Sequence, residues 1–437
     1  MPKIHGTNLL DNTCPLWEWS LPDISDKINH VYRITINKGK EKQLERHHPW
    51  VFTGAIGKVE GDEKSASWAL VSRYDGTFLA KGWYDEKSHI VLHLLSWDYK
   101  ENLDENWIER KVRESIERRR DFFLPSSPAN AFRIIHGEAD FLPGIVADVY
   151  ARSVRVVISS RFGNTFAEVI AKAIDDALHP DYIALYADPN YAKSEGIKGK
   201  ERIFVDGKEV FDFVEKNVTI KENGIWYEIE GGKGQKSGFY LDQRDNRCVV
   251  EEFSYKAKAL DVCSFTGSFT MHMLKGGASS VKAIDSSESA LRHLIYQVHL
   301  NENKGTLSPG SREKVEILPG DAFDLLRKEN DNSYDMVVLD PPKLAKTKGQ
   351  LQNAIKAYKD INLNAMRKVR KGGILVTFSC SGSLSREDFK MILSWCAKDL
   401  GYEVQILKTL SQGEDHPVRL SFPESEYLKG FVLRILK

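Results

Sequence analysis

Two segments of this 437-residue chain hold residue types that could do chemistry on a flat polar ring: Asp340-Pro-Pro-Lys343 and Thr377-Phe-Ser-Cys-Ser381. In the first, Pro341 and Pro342 fix φ and remove backbone donors, so the bend is rigid enough to hold the Asp340 carboxylate and nearby carbonyls against a base taken out of its stack. In the second, Cys380 stands between serines at the end of an apolar run. Carbon 5 of cytosine is a weak nucleophile. Methylating it calls for a thiolate that first adds to C6 and pushes electrons to C5, and for a base that later removes the C5 proton. A cysteine and an aspartate on one rim would suit that chemistry. Cys263 and Cys396 read instead as packing residues.

The elements that must position these groups begin after Gly231. Strand-like runs at Leu260–Ser264, Val281–Asp285, Val315–Leu318, Met336–Asp340 and Ile374–Ser379 alternate with helical stretches, the pattern of a doubly wound parallel sheet. Leu291, Leu294, Ile295 and Val298 fall at i, i+3, i+4 and i+7, so that helix should lie flat on the sheet, with Ser286 as its expected cap. Glu403–Leu407 and Phe431–Leu436 predict two final strands forming an antiparallel edge.

Such sheets bind ligands beyond the carboxyl ends of their strands. The first strand runs into Asp261-Val-Cys-Ser-Phe-Thr-Gly267, where Gly267 permits a tight turn and the next helix could receive a carboxylate. The second ends in Asp285, which can accept both hydroxyls of a ribose, and the third in Gly320-Asp321-Ala322, beside an adenine. Each acidic residue could equally be a helix cap. A nicotinamide site would call for G-x-G-x-x-G, and this first loop has the single Gly267. S-adenosylmethionine has no pyrophosphate, so one glycine suffices.

Upstream, Tyr32–Ile36, Trp68–Val71, Phe78–Ala80 and Ile90–Leu92 are short runs broken by glycines, which predicts a small β-barrel. A helix between Trp107 and Phe123 borders it, carrying Arg118-Arg-Arg120 as either a solvated face or a phosphate contact. Next come a strand at Val154–Ile158, a helix near Phe166–Leu178, a strand at Tyr182–Tyr186 and two strands around Asn223-Gly224, a type I′ hairpin signal. The domains are therefore expected at 1–30 (an extension), 31–100, 101–230 and 231–437.

Lys+Arg and Asp+Glu both total 62, so nucleic-acid contacts must come from local surfaces such as Lys38, Lys40, Lys42 and Arg46. Five scattered cysteines suit neither a disulfide framework nor a metal site and point to the cytoplasm. No apolar run is long enough for a membrane span, and a homodimer stays open.

The motifs Gly234-Gln-Lys-Ser-Gly-Phe-Tyr-Leu-Asp-Gln-Arg-Asp-Asn246, Cys263–Gly267, Asp340–Lys343, Phe378–Gly382, Asp415-His-Pro417 and Tyr427-Leu-Lys-Gly-Phe431 together resemble the ribosomal RNA large subunit methyltransferase I family. His48-Pro-Trp-Val-Phe-Thr-Gly54 resembles the start of that family's PUA domain, and Glu138–Gly144 its central domain. The resemblance implies an α/β protein with a Rossmann-like seven-stranded methyltransferase sheet, preceded by a PUA-like β-barrel and a central α+β domain. It implies S-adenosylmethionine as cofactor, large-subunit ribosomal RNA as partner and 5-methylcytosine as product. It also implies Cys380 as nucleophile, Asp340 as a residue holding the base with Pro341, Pro342 and Lys343, and the stretch Asp242, Gln243 and Arg244 beside the methionine end of the cofactor. Phe265, Thr266, Gly267, Asp285, Ser286, Asp321, Ala322 and Asp340 complete the expected cofactor set. Methylation at another position or base, and an inactive RNA-binding assembly factor, are the alternatives.

Overall fold

The computed structural model describes residues 32–61, 66–197, 201–232, 238–344, 349 and 351–437. The expected N-terminal extension, Cys14 and Gly234–Ser237 of the first motif lie outside these.

Among the described residues the strands form sheets of six, six, two and seven. The first contains β1 (Tyr32–Ile36), β2 (Trp50–Val51), β3 (Ile56–Glu60), β4 (Ser67–Ser72), β5 (Phe78–Tyr84) and β6 (Leu92–Ser96), in the order β2-β6-β5-β4-β1-β3. Tyr32, Ile34, Val71, Ala80 and Leu92 fill its core. The run expected at Ile90–Leu92 enters the sheet only at Leu92: Val91 lies just before it, its carbonyl accepting from Asp85 N at 2.9 Å.

Helix α1 (Glu105–Glu117) starts at Asp104, whose carboxylate accepts from Trp107 N, and buries Trp107, Ile108, Val112 and Ile116 against the next domain. That domain strings β7 (Ala131–His136), β8 (Ile145–Tyr150), β9 (Ser153–Ile158), β10 (Tyr182–Ala187), β11 (Arg202–Val205) and β12 (Lys208–Val210) in sequence order. Helices α2 (Arg161–Thr165) and α3 (Ala167–Leu178) carry the chain from β9 to the parallel β10. Of the arginine run after α1, Arg119 is neither solvated nor open to a phosphate. It is 3% exposed and grips Asp140 with both terminal nitrogens at 2.8 and 2.7 Å.

Strands β13 (Val218–Glu222) and β14 (Ile225–Ile229) form the expected hairpin, with Asn223 and Gly224 at φ 49° and 85° as a type I′ turn requires. Its apolar face packs into the C-terminal core, and Trp226 N and Glu228 N donate to Asn301 and Gln297 of a helix there.

The C-terminal sheet is built from β15 (Lys258–Val262), β16 (Ser280–Asp285), β17 (Val315–Pro319), β18 (Tyr334–Leu339), β19 (Val369–Ser379), β20 (Val404–Ser411) and β21 (Lys429–Ile435). Their order is β17-β16-β15-β18-β19-β21-β20. Helices α4 (Arg244–Glu252), α5 (Ser268–Lys275), α6 (Glu288–Asn303), α7 (Ala322–Lys328), α8 (Leu351–Lys368) and α9 (Arg386–Leu400) cover the two faces. Alternate residues of each strand point to opposite cores: Ala259, Val281 and Met336 to one, Leu260, Ile284 and Val337 to the other. The last strand, β21, slots between β19 and β20, antiparallel to both. Helix α6 is capped by Ser287, not by the expected Ser286. The Asp285 carboxylate takes Ser287 N at 2.8 Å, and the extended Ser287 then accepts from Ala290 N at 3.2 Å.

Candidate active site

The winding of the parallel sheet reverses between β15 and β18, so a crevice opens beyond the carboxyl ends of these neighbours. Its floor is the loop from Asp261 to Gly267. Gly267 is at φ +82°, and a Cβ there would lie 2.3 Å from Leu294 Cγ, so glycine serves both the turn and the approach of α6. Cys263 and Phe265 also take positive φ, 62° and 48°, which turns the loop's amides inward: Phe265 N donates to Asp285 Oδ2 at 2.9 Å. Thr266 and Phe265 are half-buried on this loop, and Ser286 is exposed at its neighbour.

Asp285 ends β16 with both oxygens already taking one backbone N–H, which leaves each a free lone pair over the crevice. Asp321 caps α7, accepting from Asp324 N at 3.1 Å, and is otherwise exposed beside half-buried Ala322. Under the loop, Asp261 is 1% exposed. Thr270 Oγ1 donates to its Oδ2 at 2.6 Å, while its Oδ1 has no hydrogen-bond partner among the described residues. Ser264 Oγ and Asp242 Oδ1 are buried in the same condition. Buried polar atoms left this way are costly, and a ligand carrying an ammonium and hydroxyls would satisfy them.

Asp340 follows β18. Burial first, then the nearby Asp242 charge, push its carboxyl up to about 7, against the hydrogen bond from Gln243. Gln243 Nε2 donates to Asp340 Oδ2 at 3.0 Å, and Asn246 Nδ2 holds the other end of that amide at 2.6 Å. Burial likewise lifts Asp261 to about 7. Two carboxyls at the crevice are therefore poised near neutrality. Pro341 is buried behind Asp340, whereas Pro342 and Lys343 face solvent.

Cys380 follows β19, one strand over. Its Sγ lies 3.8 Å from the Pro341 carbonyl oxygen, so the two expected segments do meet on one rim. Tyr358 of α8 shares a hydrogen bond of 3.0 Å with Ser381 beside it, and Tyr240 stacks edge-on to Phe265 across the crevice. Cys396 is buried with its thiol on the Lys359 carbonyl, and burial pushes it up to about 12; Cys248 goes up to about 11 for the same first reason. Cys263 is also pushed up by burial.

Arg244 does not point into the crevice. It is buried against Asp415 at 2.8 Å and under the Phe122 ring at 4.7 Å, so its expected place beside the cofactor becomes a clamping role. His416 is buried too, in the loop between β20 and β21, edge-on to His136 at 5.5 Å. Behind Asp242, Tyr427 donates its hydroxyl to Oδ2 at 2.7 Å. The sequence reading gave no role to Asp261, Tyr240, Tyr427 or Lys429, and it placed Asp242 only within the stretch expected beside the methionine end of the cofactor. For Lys429 a signal existed, a lone cation inside the apolar run Leu428-Lys-Gly-Phe-Val-Leu433.

Residues 34–97 match a PUA-like domain family, and residues 206–389 match an S-adenosylmethionine-dependent methyltransferase family. Ribosomal RNA large subunit methyltransferase I of Escherichia coli (strain SMS-3-5 / SECEC) is 33% identical over 408 residues, covering 92% of this chain and 99% of that protein. The protein of the same name from Aeromonas salmonicida (strain A449) is 35% identical over 405 residues, covering 92% and 98%. A solved Streptococcus mutans protein assigned to the SAM-dependent methyltransferases superposes with a TM-score of 0.75 at 17% identity, over 92% of this chain and 99% of that one. At that identity the likeness shows the fold.

Proposed function

From the premise that this chain belongs to the ribosomal RNA large subunit methyltransferase I family, we propose that it methylates C5 of a cytosine in large-subunit ribosomal RNA through a covalent adduct on Cys380. The observation that carries this reading is the meeting of Cys380 and the Asp340-Pro341 turn at the crevice beside the cofactor loop. When bound, S-adenosylmethionine supplies a methyl group activated by its sulfonium. Asp261, Ser264 and the free lone pairs of Asp285 fit its ammonium and ribose hydroxyls, and Phe265, Thr266, Gly267, Asp321 and Ala322 line the rest.

Cys380 adds as a thiolate to C6, which places electron density on C5 for the methyl transfer. Asp340, kept protonated near neutrality by its burial, donates a hydrogen bond to N3 of the ring and so favours that charge shift. The C5 proton then passes to water, the C5–H electron pair re-forms the C5–C6 double bond, and the Cys380–C6 bond breaks to return the thiolate. Exposed Lys38, Lys40, Lys42 and Arg46 on the first domain meet phosphates and position the RNA without reading its sequence.

The test is incubation of wild type and Cys380→Ala with methyl-labelled S-adenosylmethionine and total ribosomal RNA, followed by nucleoside mass spectrometry. Labelled 5-methylcytidine from wild type alone is expected. A labelled purine, or an alanine variant as active as wild type, would sink the mechanism.

A further inference from the structure

We infer that Lys429 is the resident counter-ion of the Cys380 thiolate, holding the nucleophile deprotonated before substrate arrives. This rests on the reading of Cys380 as nucleophile given above. Lys429 opens β21 in direct register with Ser379, the last residue of β19, so its side chain stands beside the turn that carries Cys380. The ammonium donates to the carbonyls of Ser381 and Tyr427, each at 3.3 Å. The residue is 2% exposed, yet among the described residues no carboxylate lies within 4.0 Å of Nζ.

A buried ammonium with only two long hydrogen bonds to neutral carbonyls is expensive unless an anion is near. The nearest acidic residue on its own segment, Glu426, is engaged by Arg386 at 2.6 and 3.2 Å. Burial lowers Lys429 to about 8; Glu426 and Cys380 pull it back up, while Arg386 and Lys343 push it down. Among the described residues, Asp340 stands on the facing turn, and the tyrosines near Cys380 are Tyr358 from α8 and Tyr240 from the loop before α4. Burial raises both, Tyr358 to about 12, so neither supplies an anion or a cation near neutral pH. Lys343 faces solvent. Among the described residues the buried cation on this wall is Lys429, and the thiolate is the anion that completes it.

The chemistry balances simply. Cys380 gives its Sγ proton to water, Lys429 keeps its own, and no bond to carbon changes until C6 is attacked. Without the cation, a half-buried thiol here would rise as Cys248 and Cys396 do.

The experiment uses the full chain without RNA. Iodoacetamide alkylation is followed from about pH 6 to about pH 10, and the Cys380 peptide is quantified by mass spectrometry for wild type, Lys429→Met and Lys429→Arg. In wild type the Cys380 midpoint should fall below those of Cys248 and Cys396 in the same digest. Lys429→Met should move it up by about one unit or more, slowing alkylation at neutral pH about tenfold, and Lys429→Arg should restore most of the loss. An unmoved midpoint in the Met variant overturns the inference. So does a wild-type midpoint no lower than those of the other cysteines, which decides the matter even if the Met variant does not fold. An active Cys380→Ala enzyme would instead overturn the adduct mechanism, whatever alkylation showed.

Discussion

Replacing Asp261 by Asn should turn a pH-dependent weakness of the unliganded protein into a pH-independent one. In the folded state the carboxyl is buried with one oxygen lacking a partner, and its titration is raised from the usual 3.8 to about 7. The folded state therefore holds the proton more tightly than the unfolded chain does. By linkage, the contribution is fully present below about pH 4 and is lost as pH rises through about 7. At about 1.4 kcal/mol for each tenfold, the loss is on the order of 4 kcal/mol by pH 8. Asparagine keeps the acceptor for the Thr270 hydroxyl and cannot ionise. Any cost of burying its N–H group is the same at every pH. Calorimetric melting of both proteins between about pH 5 and pH 8 should thus give curves that diverge, the variant gaining on wild type by several degrees, since each kcal/mol is worth about 2–4 °C for a cooperative unit the size of the C-terminal domain. Saturating S-adenosylmethionine should raise the wild-type midpoint more than that of the variant, because the carboxylate is then paired. Parallel melting curves across the range would refute the argument.

Gly267→Ala should cost about 2–4 kcal/mol, since its Cβ would meet Leu294 at 2.3 Å on a backbone at φ +82°; urea denaturation and cofactor titration should both show the loss. Asp415→Ala should cost about 3–5 kcal/mol by stranding buried Arg244 and the Arg133 amide, and should raise hydrogen exchange in the loop before β21. In wild type the rate constant for bound substrate should decline as pH rises through about 7, where Asp340 loses its donor proton, and Asp340→Asn should be slower but without that decline. A decline of the same shape in the Asn variant would assign it to another group, Lys429 among them.

The central strands could be read directly because parallel strands covered on both faces are apolar runs, as in Met336-Val-Val-Leu339. Periodicity carries no pairing partner, so the insertion of β21 between β19 and β20 was out of reach, and with it the register that sets Lys429 beside Cys380. The α6 cap moved by one residue because Ser286 and Ser287 are chemically equal, and only the Asp285 hydrogen bond chooses between them. Strand ends pointed to Asp285, Asp321, Asp340 and Cys380. Arg244 looked like a cofactor ligand because a cation next to a site motif is indistinguishable, in sequence, from one that clamps the motif's helix. Asp415, its partner, is 171 positions away.

The same clamp explains why motifs in the first two domains recur beside those of the sheet. Asp415 accepts from Arg244 of α4 and from the Arg133 amide of β7, and its carbonyl takes Arg119 at 3.1 Å. Four residues on, Arg419 spans the Glu138 carbonyl at 3.0 Å and the His47 carbonyl at 3.2 Å, while Trp50 donates to the Glu138 carboxylate at 2.9 Å. His48-Pro-Trp50, Glu138-Ala-Asp140 and Asp415-His-Pro417 thus converge on one junction of three domains, and the loop they grip leads straight into Tyr427 and Lys429. The charge-assisted bonds of Asp415 to Arg244 and Arg119 are buried and resist a hinge more than exposed pairs do, whereas those of Arg419 and Trp50 are part-buried or exposed. The exposed cations of the first domain are tied to this junction through Arg419 and Trp50, so RNA bound on them would reach the Cys380 thiol by fitting that span and by extruding a base.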